Sequence, residues 1–547
     1  MTQSLDLTDI QGNVTRAYGR YSFPFARYFF LHIDDAAHGR NFVNAIRKHI
    51  TSAKRWTDET KPKATMNIGF TWAGLAALKL PTRTLRSMPS EFIDGMKSRS
   101  FLLGDNPDVW DKIWKENRNL GLQPSPTDVH IWVSINAQAR GPFSDQPHEQ
   151  LEKTTQILRD LCKKSAKGKV NIIPHNGQSG EDEFQSANAV FDTLPGGKKI
   201  VTPKEHFGLT DGISDPVFKG QYDYKSQEDA LPGRGKWMDK KKGWQPLETG
   251  EFILGHVDES QGLPVVAEPP NLIMNGTFMA FRKLHENIAT YRKVIKTEAK
   301  TYAKVMGVDM EEAEITLEAK MVGRWPNGVP LSKIPTFDAW RQFCKEEGFL
   351  VEDKDDFDAV LQSHINRGKY IKSEAASNFK YGDDMEGTKC PVGSHIRRVN
   401  TRDYLDPLNK PDSKNPDSRS ALNRRRRLLR RGLPYGPTTL GQGDDNTEQG
   451  VAMMLLCASL FRQFEFVQQQ WIQYSLDFKA GNNTCPLLGN HKHFKRHIIE
   501  GDPESGKPLY VMSKLKTFVE DRGGDYFFIP SLNALRMIGM GIVDPTT

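Results

Sequence analysis

Phe25-Ala26-Arg27-Tyr28-Phe29-Phe30-Leu31-His32-Ile33 is a run of aromatic and branched side chains with few polar interruptions. That composition predicts a β-strand. Phe42, Ile46 and Ile50 follow at intervals of four, the spacing that gathers apolar side chains on one face of a helix, so the strand feeds a helix. Farther on, Val129-His130-Ile131-Trp132-Val133-Ser134-Ile135 alternates as a strand does. Leu151, Leu158, Leu161 and Cys162 then share a helical register, and Val170-Asn171-Ile172-Ile173 reads as a further strand.

Strand, helix, strand, strand, helix, strand is the ferredoxin-like order, an antiparallel sheet with helices on one face. A second set begins after Phe191. Gly276-Thr277-Phe278-Met279-Ala280-Phe281 reads as a strand running into a helix over residues 286–300, and Tyr526-Phe527-Phe528-Ile529-Pro530 as another strand. At 547 residues the chain exceeds the size of one ordinary core. The expectation is therefore an α+β protein of two ferredoxin-like domains, residues 1–190 and 191–547. Polar insertions at 226–242 and 401–423 are expected as exposed loops.

A hydrophobic content of 37% and a charged content of 26% describe a globular protein. The first residues, Met1-Thr2-Gln3-Ser4-Leu5-Asp6-Leu7-Thr8-Asp9, carry neither a basic nor an apolar leader pattern, and no apolar run approaches the about 18–20 residues of a membrane span. The expected location is cytoplasmic, away from membranes. Five cysteines without a C-x-x-C pair argue against a disulfide framework, a zinc ribbon and an iron–sulfur cluster. The net charge of +7 is concentrated in Arg424-Arg425-Arg426-Arg427-Leu428-Leu429-Arg430-Arg431. Such a run serves as a solvated or loop-anchoring face, an anion or cofactor site, or a nucleic-acid patch. It lacks the aromatic interleaving of a single-strand platform, and no DNA-binding motif accompanies it, so no nucleic-acid partner is expected.

Cys390-Pro391-Val392-Gly393-Ser394-His395-Ile396-Arg397-Arg398 puts a histidine in a small-residue turn flanked by cations. A haem ligand must present one ring nitrogen along the macrocycle normal, and Gly393 and Ser394 permit close approach of a flat ring. Arg397, Arg398 and Arg402 are candidates to neutralise haem propionates. Without C-x-x-C-H, any haem would be held noncovalently. Glu205-His206-Phe207-Gly208-Leu209-Thr210-Asp211-Gly212-Ile213-Ser214-Asp215-Pro216 is first a turn built on Asp-Gly. The same segment would also suit a carboxylate held at the wall of a cofactor cavity, and nothing local decides between the two.

Gly208-Leu209-Thr210-Asp211-Gly212 matches the G-x-x-D-G motif of the dye-decolourising peroxidases, and residues 390–397 resemble their proximal-histidine segment. Leu429-Arg430-Arg431-Gly432-Leu433-Pro434-Tyr435-Gly436 is similar to the segment bearing their distal arginine. Further matches, in the family's order, are Asp9-Ile10-Gln11-Gly12-Asn13, residues 275–283, 463–468 and 523–531. The resemblance implies two ferredoxin-like halves with haem b in the second. It makes His395 the axial metal ligand, Asp211 the distal acid–base residue and Arg430 the distal cation. It implies that hydrogen peroxide oxidises dyes, phenols and similar small aromatic reductants through a ferryl haem. Bulky reductants are expected to give electrons at a surface aromatic, with Trp237 and Trp244 the candidates. Val451 and Met453 stand where many relatives carry Leu and Phe over the distal haem face. Cys485 stands where many relatives carry Asp.

The alternative reading is a haem-binding or haem-handling protein with little turnover. Nothing in the sequence fixes the physiological reductant or the oligomeric state.

Overall fold

The computed structural model describes residues 5–542 apart from 118–124, 175, 178, 265, 406–420, 479, 482, 491–495, 503–505 and 514. The first residues of the leader reading, Met1 to Ser4, lie outside it. Strand β1 (Phe25–Ile33) is almost wholly buried along its length. Its neighbours in the chain follow the expected order: helix α1 (Ala36–Ile46), strands β2 (Ala64–Phe70) and β3 (Ile131–Ala137), helix α2 (Gln150–Asp160) and strand β4 (Val170–Ile172). A short strand β5 (Gln185–Asn188) pairs with the first half of β1. Asp35 caps α1 by accepting the His38 N–H, and Phe42, Val43 and Ile46 are its buried stripe. Ile50 falls beyond the helix, which ends at Ile46. Phe29 and Phe30 are at most 1% exposed, each contributing about 1.5–3 kcal/mol of burial.

The second half repeats the plan. Strand β6 (Thr277–Glu286) leads into helices α3 (Ile288–Met306) and α4 (Met310–Val322). After a long helical insertion come the short helix α5 (His395–Val399), strands β7 (Leu429–Tyr435), β8 (Gly450–Cys457) and β9 (Val519–Ile529), and helix α6 (Leu532–Met540). The sheet order is β7-β8-β6-β9-β2-β3-β1-β4, and the pairings are antiparallel. Within each half, counting its own strands, the fourth lies beside the first, then the third, then the second. The two α+β halves are thus ferredoxin-like copies, joined where Phe528 of β9 pairs with Phe70 of β2. Strand β2 completes the first copy although the sequence alone did not single it out. Its run Ala-Thr-Met-Asn-Ile-Gly-Phe mixes polar and apolar residues too freely to read as a strand, yet six of the seven are buried.

Two expected exposed loops are folded. Residues 226–242 contribute to the helix Tyr224–Ala230 and to a two-stranded ladder in which Lys236–Trp237 pairs with Trp244–Gln245, and Lys236 Nζ reaches Glu259 at 2.9 Å. Thr401 to Tyr404 are buried because the Asp403 carboxylate accepts the Tyr381 and Gly382 N–H groups at 2.7 and 3.0 Å. The rest of the 401–423 segment lies mostly outside the described residues.

On the second half of the sheet the two-residue side-chain period aims Arg282, Leu284 and Glu286 of β6 to one face, with Val451, Met453 and Leu455 of β8 and Val519 and Asp521 of β9. These residues form one wall of a cavity of about 430 Å³. Helix α5, the end of α4 and the helical segments Leu460–Glu465 and Val467–Ile472 close the other side.

Candidate active site

The segment carrying His395 is clamped from within. Asp384 accepts the Lys389 and Cys390 N–H groups at 3.1 and 2.9 Å and the Arg397 guanidinium at 3.0 Å, while Arg397 also donates to Cys390 O at 2.7 Å. Arg397 lies between the rings of Tyr381 and Tyr404 and is 0% exposed. The expectation that Arg397 binds a cofactor is corrected here: both its Nη groups are spent on folding the loop, and it does not line the cavity. Arg398 is likewise spent. It donates to the carbonyls of Gly393, Trp471, Tyr474, Asn483 and Thr484, tying the 471–484 segment to the back of α5.

That tie sets what lies behind His395. Cys485 follows the Thr484 carbonyl held by Arg398, is fully buried, and places Sγ 3.4 Å from His395 Nδ1. The Leu488 N–H also points at this sulfur, at 3.4 Å. His395 Nε2 makes no hydrogen bond among the described residues, and His395 lines the cavity. Burial, then the Arg430 charge, lowers the His395 pKa to about 4, so the imidazole is neutral and its lone pair free at neutral pH.

The Asp211 turn is held just as firmly. Gly212, at φ +83, takes a left-handed conformation that glycine adopts without strain. The Glu205 carboxylate accepts the Phe207 and Leu209 N–H groups at 2.8 and 2.9 Å, and Asp211 N–H donates to Pro203 O at 2.9 Å. Arg430 Nη1 reaches Asp211 Oδ1 at 3.2 Å, its Nη2 donates to Ile213 O, and its backbone N–H donates to Asp215. From the first half of the chain Arg20 Nη2 reaches Asp211 Oδ2 at 3.3 Å. Burial pushes the Asp211 pKa up, but Arg430 and then Arg20, with the Gly212 N–H, outweigh it and hold the carboxylate well below its ordinary range. On β7, a Cβ on Gly432 would meet Ala452 O at 2.1 Å, so only glycine lets β7 and β8 close up beside Arg430.

His395, Asp211, Arg430, Arg402, Val451 and Met453 all line the one cavity. Arg324, which was not anticipated, lines it too, and so does Arg427, one of the four arginines expected by default at a solvated or loop-anchoring face. Arg324 and Arg402 both turn Nη2 toward Ser214 Oγ, at 3.2 and 3.5 Å, and Arg402 stacks 3.6 Å over the Phe379 ring. Burial lowers the pKa of Arg324, Arg402 and Arg427 to about 10, which leaves all three charged. The arginine run therefore divides. Arg425 pairs with Asp258, Arg426 caps Arg462 O and lies over Phe466, and only Arg427 and Arg430 reach the cavity.

Sequence reasoning also missed a second carboxylate, Glu286. It lies beside Glu205 in the cavity wall, both are buried, and burial raises both pKa values. Two adjacent carboxyls resist ionising together, so one stays protonated to higher pH. Of the aromatic candidates, Trp237 and Trp244 meet edge to face at 5.4 Å, and Trp244 Nε1 donates to Asn378 at 2.9 Å.

The apolar wall, the unengaged ring nitrogen of His395 and the charged arginines together fit a flat apolar macrocycle that brings a metal and anionic side groups. No family model matches the chain. Among curated proteins, Peroxidase 2 of Mycetinis scorodonius is 25% identical over 556 residues, covering 97% of this chain and 87% of that one. The dye-decolorizing peroxidase of Mycena epipterygia is 24% identical over 571 residues, covering 98% and 88%. Among solved structures, a dye-decolorizing peroxidase in complex with 2,6-dimethoxyphenol shares the fold at a TM-score of 0.66 and 20% identity, over 98% of this chain and 100% of that one.

Proposed function

We propose that this chain, a member of the dye-decolourising peroxidase family by full-length similarity and by fold, is a haem peroxidase that reduces hydrogen peroxide with electrons from dyes and phenols. The observation that carries this reading is the meeting of His395, Asp211 and Arg430 in one cavity. His395 Nε2 would hold the iron of a noncovalent haem b, and Arg324 and Arg402 its carboxylates. When bound, the haem iron supplies cleavage of the O–O bond and stores the oxidising equivalents. With a boundary at residue 190, these side chains all belong to the second domain.

Asp211, ionised at rest, takes a proton from hydrogen peroxide and returns it to the departing oxygen, which leaves as water. Arg430 stabilises the negative charge that develops on that oxygen and keeps Asp211 ionised between turnovers. Two electrons and two protons from the reductant complete the reduction of one peroxide to two waters. Reductants too large for the cavity would give their electrons at the Trp237–Trp244 pair. The proposed location is the cytoplasm, a reading that rests on five cysteines that are all unpaired.

The test is direct. Protein loaded with haemin is expected to show a Soret band and peroxide-dependent bleaching of an anthraquinone dye. Failure to take up haemin overturns the proposal, and uptake without bleaching favours the haem-handling alternative.

A further inference from the structure

Asp211 moves a proton that the peroxide itself brings. It takes that proton from one oxygen, gives it to the other, and ends as ionised as it began. The first water therefore draws nothing from the protein. The second water needs two protons and two electrons, and a reductant that gives electrons alone brings neither proton. With Arg430 and Arg20 both on its carboxylate, Asp211 is too weak a base to store them.

Glu286 is placed to hold one. It ends strand β6 on the cavity face of the sheet, is 4% exposed, and its Oε2 makes no hydrogen bond among the described residues. A buried carboxylate with a bare oxygen is costly, whereas a carboxylic acid is uncharged and has a proton to give. Glu205 beside it is held in the opposite way. Its two oxygens accept the Phe207 and Leu209 N–H groups, contacts that favour the ionised form. Of the two carboxyls, Glu205 carries the charge and Glu286 the proton, and the negative Asp211 nearby acts in the same sense. His206 and Tyr435, both buried and uncharged, complete the groups around Glu286, while Lys204 interacts with Glu205 and Glu318.

Behind the pair, the Tyr291 ring lies 4.4 Å from that of Phe207, and Tyr291 Oη donates to Glu318 Oε1 at 3.3 Å. Neither residue lines the cavity, and Glu318 is partly exposed. Proton-carrying groups thus lead from Glu286 toward solvent.

We propose that Glu286 is a second proton donor of the cavity, serving the oxygen that remains after the first water has left. As each electron arrives, the Glu286 carboxyl gives its proton to that oxygen and is left as a carboxylate, which takes a proton back from the Glu318 side. Two such cycles release the second water. This role rests on the peroxidase reading.

The experiment compares wild type, Glu286→Gln and Glu286→Asp in the haem-loaded protein. Infrared spectra at neutral pH are expected to show a protonated-carboxyl C=O stretch in wild type that the Gln variant lacks. Stopped flow then follows peroxide with ferrocyanide, a donor that brings an electron and no proton. Glu286→Gln should slow the ferrocyanide-limited step at least about tenfold and the peroxide-limited step far less, and Glu286→Asp should recover most of the loss. The wild-type ferrocyanide step should also slow as pH rises and Glu286 ionises, a limb missing from the Gln variant. Absence of the infrared difference, or the same ferrocyanide rate and pH profile in wild type and Glu286→Gln, overturns the donor role alone. A wild type that oxidises no ferrocyanide with peroxide overturns the peroxidase reading instead.

Discussion

Cys485 Sγ lies 3.4 Å behind His395 Nδ1, on the side of the ring away from the cavity. A histidine that binds a metal through one nitrogen is oriented and tuned by whatever its other nitrogen meets. Here that partner is a thiol, a far weaker acceptor than a carboxylate.

Cys485→Asp is expected to make the imidazole more anionic and so to lower the ferric/ferrous potential of the bound haem, read by spectroelectrochemistry. Cys485→Ala should loosen haem by about tenfold or more. A potential that is the same in wild type and in Cys485→Asp would show that the sulfur position does not tune the ring.

Asp211→Asn should slow the reaction of the haem-loaded protein with peroxide by about 10²–10⁴-fold, and Arg430→Leu by about 10²–10³-fold. The Soret band of the resting protein should survive both changes. Stopped-flow spectra after one equivalent of peroxide make the comparison. Wild-type rates in both variants would remove these side chains from the chemistry.

The pH profile follows from the two arginines on Asp211. Since Arg430 and Arg20 hold its pKa well below the ordinary carboxylate range, the peroxide reaction should persist at pH values where an unassisted carboxylate is already protonated. Removing one cation in Arg20→Gln raises the Asp211 pKa, so the acid limb of the peroxide rate should move to higher pH. An acid limb at the same pH in both proteins would count Arg20 out.

Glu205 and Glu286 predict a different pH dependence, one of stability. Burial raises both above their unfolded values, so the folded protein binds more protons than the unfolded chain, and stability falls as pH rises through the folded pKa. Glu286→Gln leaves one carboxyl where there were two. Its thermal midpoint should fall less than that of wild type between pH 5 and pH 8, measured in parallel melts. Parallel losses would show that the two carboxyls do not resist ionising together.

Much of the fold is legible in the chain because strand and helix periods are short-range properties. The alternation in β3 and the spacing of Phe42 and Ile46 in α1 need no partner to be seen. Strand β2 was missed because its burial comes from neighbours, not from its own pattern. Strand β7 was hidden under its arginines. Those side chains point to opposite faces, Arg430 into the cavity and Arg431 onto Asp215, so the segment looks like a charged run and behaves as a paired strand.

Local pattern in the chain marks β1, α1, β3, α2 and β4 and the first and last strands of the second half, and the resemblance to a known family marks His395, Asp211 and Arg430, on which the functional reading turns. Local composition sets local conformation, and short motifs carry those residues with them. Which cations face the cavity is set by packing. Arg397 and Arg402 are five positions apart in similar surroundings, yet one is locked to Asp384 and the other lines the pocket. Packing also brought Cys485 to His395, Arg20 to Asp211 and Glu286 to Glu205, across separations of 90, 191 and 81 residues. A side chain's partner at such a distance is set by the packing of whole elements, which no local pattern encodes.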